Sequence, residues 1–98
     1  MNNKLNSKDR AKLRSIANGT PAILHLGKEG ITPQFTKAAI EALAGRELIK
    51  IDILQNCELY AKEAAEIVSS RTSSQVVQII GRRFVLYKKN IKKKEGIL

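Results

Sequence analysis

The sequence is poor in the residues that form disulfides, metal centres and membrane spans. Its 98 residues include one cysteine, Cys57, and one histidine, His25. A single cysteine excludes an internal disulfide, and the two residues together supply too few ligands for a structural zinc site. No stretch approaches the roughly 18 uninterrupted apolar residues of a membrane-spanning helix, and the first residues lack the apolar run of a signal peptide. We therefore expect a cytoplasmic protein with no cofactor, no metal ion and no membrane partner.

The length and the apolar content indicate a single domain. The chain is 43% hydrophobic, which suffices for one compact core but not for two. We predict one domain over residues 1–89, followed by a basic C-terminal tail over residues 90–98. The tail shows no sustained hydrophobic period and is expected to be mobile.

Positive charge is in excess and is unevenly distributed. The formal net charge is +9. Residues 1–14 carry five basic residues against one acidic, and residues 71–98 carry eight against one, whereas residues 29–70 carry seven acidic residues and four basic ones. Like charges gathered in this way repel one another unless something neutralises them, so the segregation predicts a polyanionic partner. The alternative is a basic protein that is merely soluble.

The hydrophobic pattern predicts a helix followed by strand, helix, strand, helix, strand and strand. The strands are predicted at residues 22–26, 48–54, 75–80 and 84–87, and the three helices begin near Ser7, Thr32 and Ala61, the second of them ending at Gly45 as its C-cap. Helices between strands require crossover connections, which predict parallel pairing of the first three strands and an antiparallel last strand. We therefore predict a two-layer α/β fold, an N-terminal helix followed by βαβαββ, with a four-stranded mixed sheet.

A Gly-x-x-Gly loop joins the first predicted strand to the second predicted helix. It reads Gly27-Lys28-Glu29-Gly30 and precedes Thr32, which fits the helix N-cap, and Pro33, which fits the first helical position. Glycines let the backbone approach a ligand closely, and free N–H groups at a helix start favour a phosphate. KH domains clamp nucleic-acid backbone with such a loop. A tight turn without a ligand explains the glycines equally well, and the Glu29 carboxylate counts against phosphate binding.

Other basic residues are predicted to extend this surface. Arg82 and Arg83 lie at a predicted hairpin tip, where guanidinium groups can contact phosphates or stack on bases, and Lys88 follows the last strand. A solvated turn is the alternative. Four bases of the first helix lie largely off its apolar stripe: Lys8, Arg10, Lys12 and Arg14. The chain has only two tyrosines and two phenylalanines and no tryptophan, so backbone recognition is favoured over base stacking on a sheet face, the mode of RRM domains.

The sequence offers no catalytic constellation. No spacing assembles a nucleophile with a base, a pair of carboxylates or a metal cluster. His25 is interpreted as a structural residue, because it lies within an apolar strand, and Cys57 as a passive thiol. We expect a protein that is not an enzyme and that has no small-molecule substrate.

Three segments resemble the signature blocks of the CRM domain family. They are AILHLGKEGIT (residues 22–32), RELIKI (residues 46–51) and VQIIGRRFVLY (residues 77–87), and they occur in the family's order. The resemblance spans about residues 5–88, and as a short single domain the chain is similar to the bacterial YhbY proteins. It implies a fold similar to the C-terminal domain of translation initiation factor 3, no catalytic activity, and association with precursors of the large ribosomal subunit.

The resemblance places the family's Gly-x-x-Gly loop at Gly27 and Gly30, and its basic surface at Lys28, Arg82 and Arg83. The partner is therefore expected to be RNA, either ribosomal RNA or a pre-ribosomal particle, bound by a monomer. The predicted contact residues are Gly27, Lys28, Glu29, Gly30, Thr32, Arg82, Arg83, Lys88, Lys8, Arg10, Lys12 and Arg14. Two other classes stay open: an architectural DNA-binding protein, and an interaction module whose basic faces bind acidic proteins.

Overall fold

In the part of the chain that the structure describes, three helices and four strands follow one another in the predicted order. They are α1 (Ser7–Asn18), β1 (Leu24–Leu26), α2 (Pro33–Arg46), β2 (Leu48–Ile53), α3 (Ala61–Thr72), β3 (Gln75–Ile80) and β4 (Arg83–Tyr87). The computed structural model describes residues 5–90 and 96–98. Residues 91–95 of the predicted basic tail therefore lie outside the described residues.

Side-chain caps set where the first two helices begin. α1 is capped by Asn6, whose side chain accepts the N–H of Asp9 at 2.7 Å, and Ser7 is already helical. The prediction of Ser7 as the cap was one residue late, since either side chain can accept such a bond. α2 begins as predicted, with Thr32 as the cap and Pro33 at the first position.

The sheet is mixed, with strand order β1-β2-β4-β3. β1 pairs in parallel with β2, and β4 lies antiparallel between β2 and β3. The predicted parallel pairing is therefore correct for β1 and β2 but wrong for β3, which pairs with β4 alone. The central place of β4 suits its composition, because residues 84–87 are all buried, whereas β3 at the sheet edge carries the half-exposed Gln75 and Gln78.

Different helices cover the two faces of the sheet. α2 and α3 pack on one face over the larger core, which includes Leu26, Leu43, Ile49, Ile51, Val68, Phe84 and Leu86. α1 packs on the other face over a smaller core, which comprises Leu13, Ala17, Leu48, Val77, Val85 and Tyr87. Successive side chains of β4 enter the two cores alternately, as strand geometry requires. The predicted two-layer arrangement thus describes α2, α3 and the sheet, and α1 adds a partial third layer.

A buried carboxylate holds the C-terminal segment against the domain. Glu47, 1% exposed and with φ 64°, ends α2 in place of the predicted cap Gly45. Its carboxylate accepts the N–H of Asn90 at 2.7 Å and that of Ile97 at 3.2 Å. Burial raises the pKa of the Tyr87 hydroxyl, and the nearby negative charge of Glu47 raises it further. The described parts of the predicted tail are therefore bound to the domain, with further contacts from Asn90 Nδ2, which donates to the Ala44 carbonyl at 2.7 Å, and from Ile97, which packs against the smaller core.

We predict that Glu47→Gln lowers the free energy of unfolding by about 1–3 kcal/mol, because an amide has one acceptor oxygen and turns an NH₂ group toward a backbone donor. Urea denaturation measures the change. Glu66→Gln, at an exposed position of α3, is the matched control and should change stability by less than about 0.5 kcal/mol. Equal losses in the two variants would contradict a special role for the buried carboxylate.

Candidate nucleic-acid interface

Three connections meet at one end of the sheet. They are the Gly-x-x-Gly turn after β1, the β2–α3 loop and the β3–β4 hairpin turn, which share an end because β1, β2 and β3 run in one direction. A Cβ on Gly27 would lie 3.6 Å from Asn56 Oδ1, and one on Gly30 would lie 3.8 Å from Leu59 Cδ1. We call this surface the loop end and define it as residues 27–32, 54–60 and 81–83.

The Gly-x-x-Gly segment forms a tight turn. The N–H of Gly30 donates to the carbonyl of Gly27 at 3.0 Å, and Gly30 has φ 68°, a conformation that favours glycine. Lys28 and Glu29 occupy the exposed tip. Lys28 has no hydrogen bond or ion pair among the described residues. The turn itself accounts for Gly30, and it presents one unpaired cation beside one carboxylate.

The start of α2 offers fewer free amides than the sequence predicts. Pro33 has no N–H, the N–H of Phe35 donates to Thr32 Oγ1 at 3.0 Å, and that of Thr36 donates to the Thr32 carbonyl at 3.0 Å. Within the part of the chain that the structure describes, only the Gln34 N–H of this first turn lacks a protein acceptor. One amide and the positive end of the helix dipole therefore remain to attract a phosphate.

Arg82 is held against the protein rather than presented free at the hairpin tip. Its Nε donates to the carbonyl of Ile53 at 3.2 Å, and its Nη2 donates to those of Leu54 at 2.7 Å and Cys57 at 3.1 Å. The guanidinium thereby ties the hairpin to the β2–α3 loop, which in turn contacts the Gly-x-x-Gly turn. Arg82 has a structural role that no local sequence pattern predicts, because its partner Leu54 lies 28 positions earlier in the chain.

The side chain of Arg83 is exposed, but an ion pair with Asp52 fixes its orientation. Its Nε forms an ion pair with Asp52 Oδ1, and its side chain is 62% exposed. The strand register aligns His25, Asp52 and Arg83 on β1, β2 and β4, and His25 Nε2 lies 3.9 Å from Asp52 Oδ2. These side chains share the sheet face on which α1 packs. The two terminal nitrogens of Arg83 have no partner among the described residues, so they remain able to donate to a phosphate.

Two predicted contact residues lie away from the loop end, and each stabilises the fold there. Arg10 Nη1 donates to the carbonyls of Val76 at 2.8 Å and Val77 at 3.0 Å, where β3 bulges. Lys88 Nζ donates to the carbonyl of Thr72, the last residue of α3, at 3.0 Å. Both side chains therefore donate to backbone carbonyls that have no backbone donor at the bulge and at the helix end.

The other predicted bases of α1 are not brought to the loop end. Lys8, Lys12 and Arg14 belong to a helix whose core contacts include Leu48 and Tyr87, at the opposite end of the sheet. These three bases have no hydrogen bond or ion pair among the described residues. Lys8 and Lys12 lie one turn apart on one side of α1, and Arg14 lies on a different side of the helix.

Two basic residues near the loop end were not predicted as contacts. Arg71 Nη1 donates to the carbonyl of Ile31, directly after the Gly-x-x-Gly turn, over a long 3.4 Å. Arg71 and Lys37 line one groove beside α2, together with Pro33. Lys37 lies one helical turn beyond Pro33, a spacing visible in the sequence, whereas Arg71 lies in the last turn of α3, within a run (residues 69–74) that contains no apolar residue.

The described residues, 5–90 and 96–98, contain no group of three or more His, Cys, Asp or Glu side chains able to hold a metal ion. Among those same residues, no helix has the length and apolar character needed to cross a bilayer.

Comparisons with known proteins give a family and two similar proteins. The family described as the CRS1 / YhbY (CRM) domain matches residues 5–88. The chain is 41% identical over 91 residues to "Probable RNA-binding protein YqeI" of Bacillus subtilis (strain 168), covering 93% of this chain and 95% of that protein. It also resembles the solution structure of SAV1595, a hypothetical protein of Staphylococcus aureus described as a candidate RNA-binding protein. That likeness has a TM-score of 0.78 and 38% identity, and it covers 94% of this chain and 95% of the other.

We predict that Arg82→Gln lowers the free energy of unfolding by about 2 kcal/mol, because three carbonyls lose a charged donor. Arg82→Lys should lose nearly as much, since an ammonium cannot reproduce the planar fork. Arg46→Gln, at an exposed end of α2, is the control and should cost less than about 0.5 kcal/mol. Thermal and urea unfolding measure all three. Full retention of stability in Arg82→Lys would show that charge alone matters.

Proposed function

The chain belongs to the CRS1/YhbY (CRM) domain family, and from that premise we propose that it binds RNA through its loop end. The relatives named above carry RNA binding in their names or descriptions. The observation that carries the proposal is the Gly-x-x-Gly turn, which holds Lys28 at an exposed tip without an ionic partner among the described residues. A net charge of +9 supplies the long-range attraction.

The proposed contacts are to the phosphate backbone. Lys28 meets the strand at the turn, the Gln34 N–H adds an amide at the start of α2, and Arg83, oriented by Asp52, contributes two free nitrogens. Glu29 at the tip repels phosphate, so the strand passes on the Lys28 side of the turn. Arg82 acts indirectly, since it holds the β2–α3 loop against the turn.

We further propose that the bound RNA is ribosomal RNA or its precursor, and that the protein is a cytoplasmic, monomeric accessory factor in assembly of the large ribosomal subunit, without catalytic activity. The resemblance of residues 22–32, 46–51 and 77–87 to the YhbY proteins supports this role. Crosslinking in cells, followed by sequencing of the attached RNA, tests it. Recovery of ribosomal precursor is the expected result, and a broad mixture of transcripts would contradict it.

Two other functions are distinguished from RNA binding by two measurements, a competition titration and a co-purification. An architectural DNA-binding protein would let duplex DNA compete as well as structured RNA at matched salt, and that result would overturn the RNA assignment. An interaction module for acidic proteins would co-purify with proteins after nuclease treatment. We expect RNA to compete better and the co-purifying material to be sensitive to nuclease.

We predict that Lys28→Glu weakens RNA binding and lowers the slope of log affinity against log salt by about 0.7–0.9, because one phosphate contact is lost. Its melting temperature should stay nearly unchanged, since exposed charges contribute little to folding. Arg46→Glu makes the same charge reversal at the far end of α2. Titrations at several salt concentrations measure both variants, and an equal loss of slope in Arg46→Glu would mean that bulk charge, and not the turn, determines binding.

A further inference from the structure

The loop end carries an aromatic ring that the sequence analysis did not consider. Tyr60, the residue before α3, is 77% exposed and is the most exposed large hydrophobic side chain among the described residues. The two aromatic residues of β4, Phe84 and Tyr87, are 0% and 4% exposed and belong to the two cores. Of these three aromatic side chains, only that of Tyr60 is therefore accessible for stacking on RNA bases.

The backbone of Tyr60 is fixed on both sides. Its N–H donates to Glu63 Oε1 at 3.0 Å, and its carbonyl accepts the N–H of Ala64 at 2.9 Å. The preceding Leu59 packs against the larger core and lies next to Gly30. Leu59 therefore anchors the segment inside while Tyr60 is presented outside, one residue from the side chain that contacts the Gly-x-x-Gly turn.

We propose that Tyr60 stacks on an unpaired base of the RNA strand whose backbone passes the Gly-x-x-Gly turn. This inference rests on the proposed function and deepens it, because it names single-stranded RNA as the preferred class. Phosphate contacts carry no sequence or pairing information of their own, whereas an aromatic ring stacks on any base that is not already stacked in a helix. A duplex keeps the faces of its bases covered, so it gains nothing from the ring.

The surroundings favour a nucleic acid over a protein partner on this ring. Lys28 and Arg83 lie at the same end of the sheet, and both keep donors without partners among the described residues. Lysine is depleted at protein interfaces, whereas cations combined with exposed aromatic rings are the usual composition of a groove for single strands.

Two substitutions at Tyr60 test the stacking directly. The probes are a fluorescein-labelled oligouridylate of about 12 nucleotides and the duplex that it forms with oligoadenylate. Tyr60→Leu should weaken binding of the single strand roughly 5- to 100-fold, the range expected for one stacked base, and should leave the duplex affinity unchanged. Tyr60→Phe keeps the ring and should stay within about twofold of the wild type for both probes.

Controls separate failure of this inference from failure of the proposed function. Ile16→Ala removes an exposed apolar side chain from α1 and should leave both affinities unchanged. If Tyr60→Leu has no effect while Lys28→Glu weakens binding, the stacking inference is wrong and the proposed function stands. Equal losses on single strand and duplex in Tyr60→Leu would also overturn stacking. Absence of RNA binding by the wild-type protein would overturn both proposals.

Discussion

The geometry of the loop end depends on one side chain, the guanidinium of Arg82. Three carbonyls of residues 53–57 accept its N–H groups, and this bond set joins the hairpin turn to the β2–α3 loop. Asn56 and Leu59 of that loop lie beside Gly27 and Gly30, and the loop leads to Tyr60. The same interaction, far from both residues in sequence, therefore helps to position the proposed phosphate contact and the proposed stacking ring.

The basic residues of the chain serve two different purposes. Arg10, Arg82 and Lys88 donate to backbone carbonyls at a bulge, a loop and a helix end, where a cation satisfies acceptors that regular structure leaves over. Lys28 has no such partner among the described residues. A count of charges in the sequence therefore overstates the cationic surface, and the loop end, with Glu29 at its tip, is less positive than the net charge suggests. For the proposed phosphate binding, the positions of a few cations therefore matter more than the total number of basic residues.

Local features of the sequence predict local features of the fold. Thr32 before a proline marks the start of α2, and strand alternation predicts β2, because capping and pleating depend on neighbouring residues. Features that depend on distant parts of the chain were missed. Gly45 was the natural cap by composition, but Glu47 ends α2 because its carboxylate binds a segment more than 40 residues away. The insertion of β4 into the sheet, the role of Arg82 and the exposure of Tyr60 are likewise decided by tertiary contacts.

The most direct test of the account is a map of the amide groups that respond to RNA. In an NMR titration of the isotope-labelled protein with a single-stranded oligouridylate, we expect the largest chemical-shift changes within residues 27–32, 54–60 and 81–83. Amides of α1 and those near Glu47 should change little, because Glu47 and the α1 contacts Leu48 and Tyr87 lie at the other end of the sheet. Changes concentrated on α1, with the loop end unaffected, would contradict this expectation.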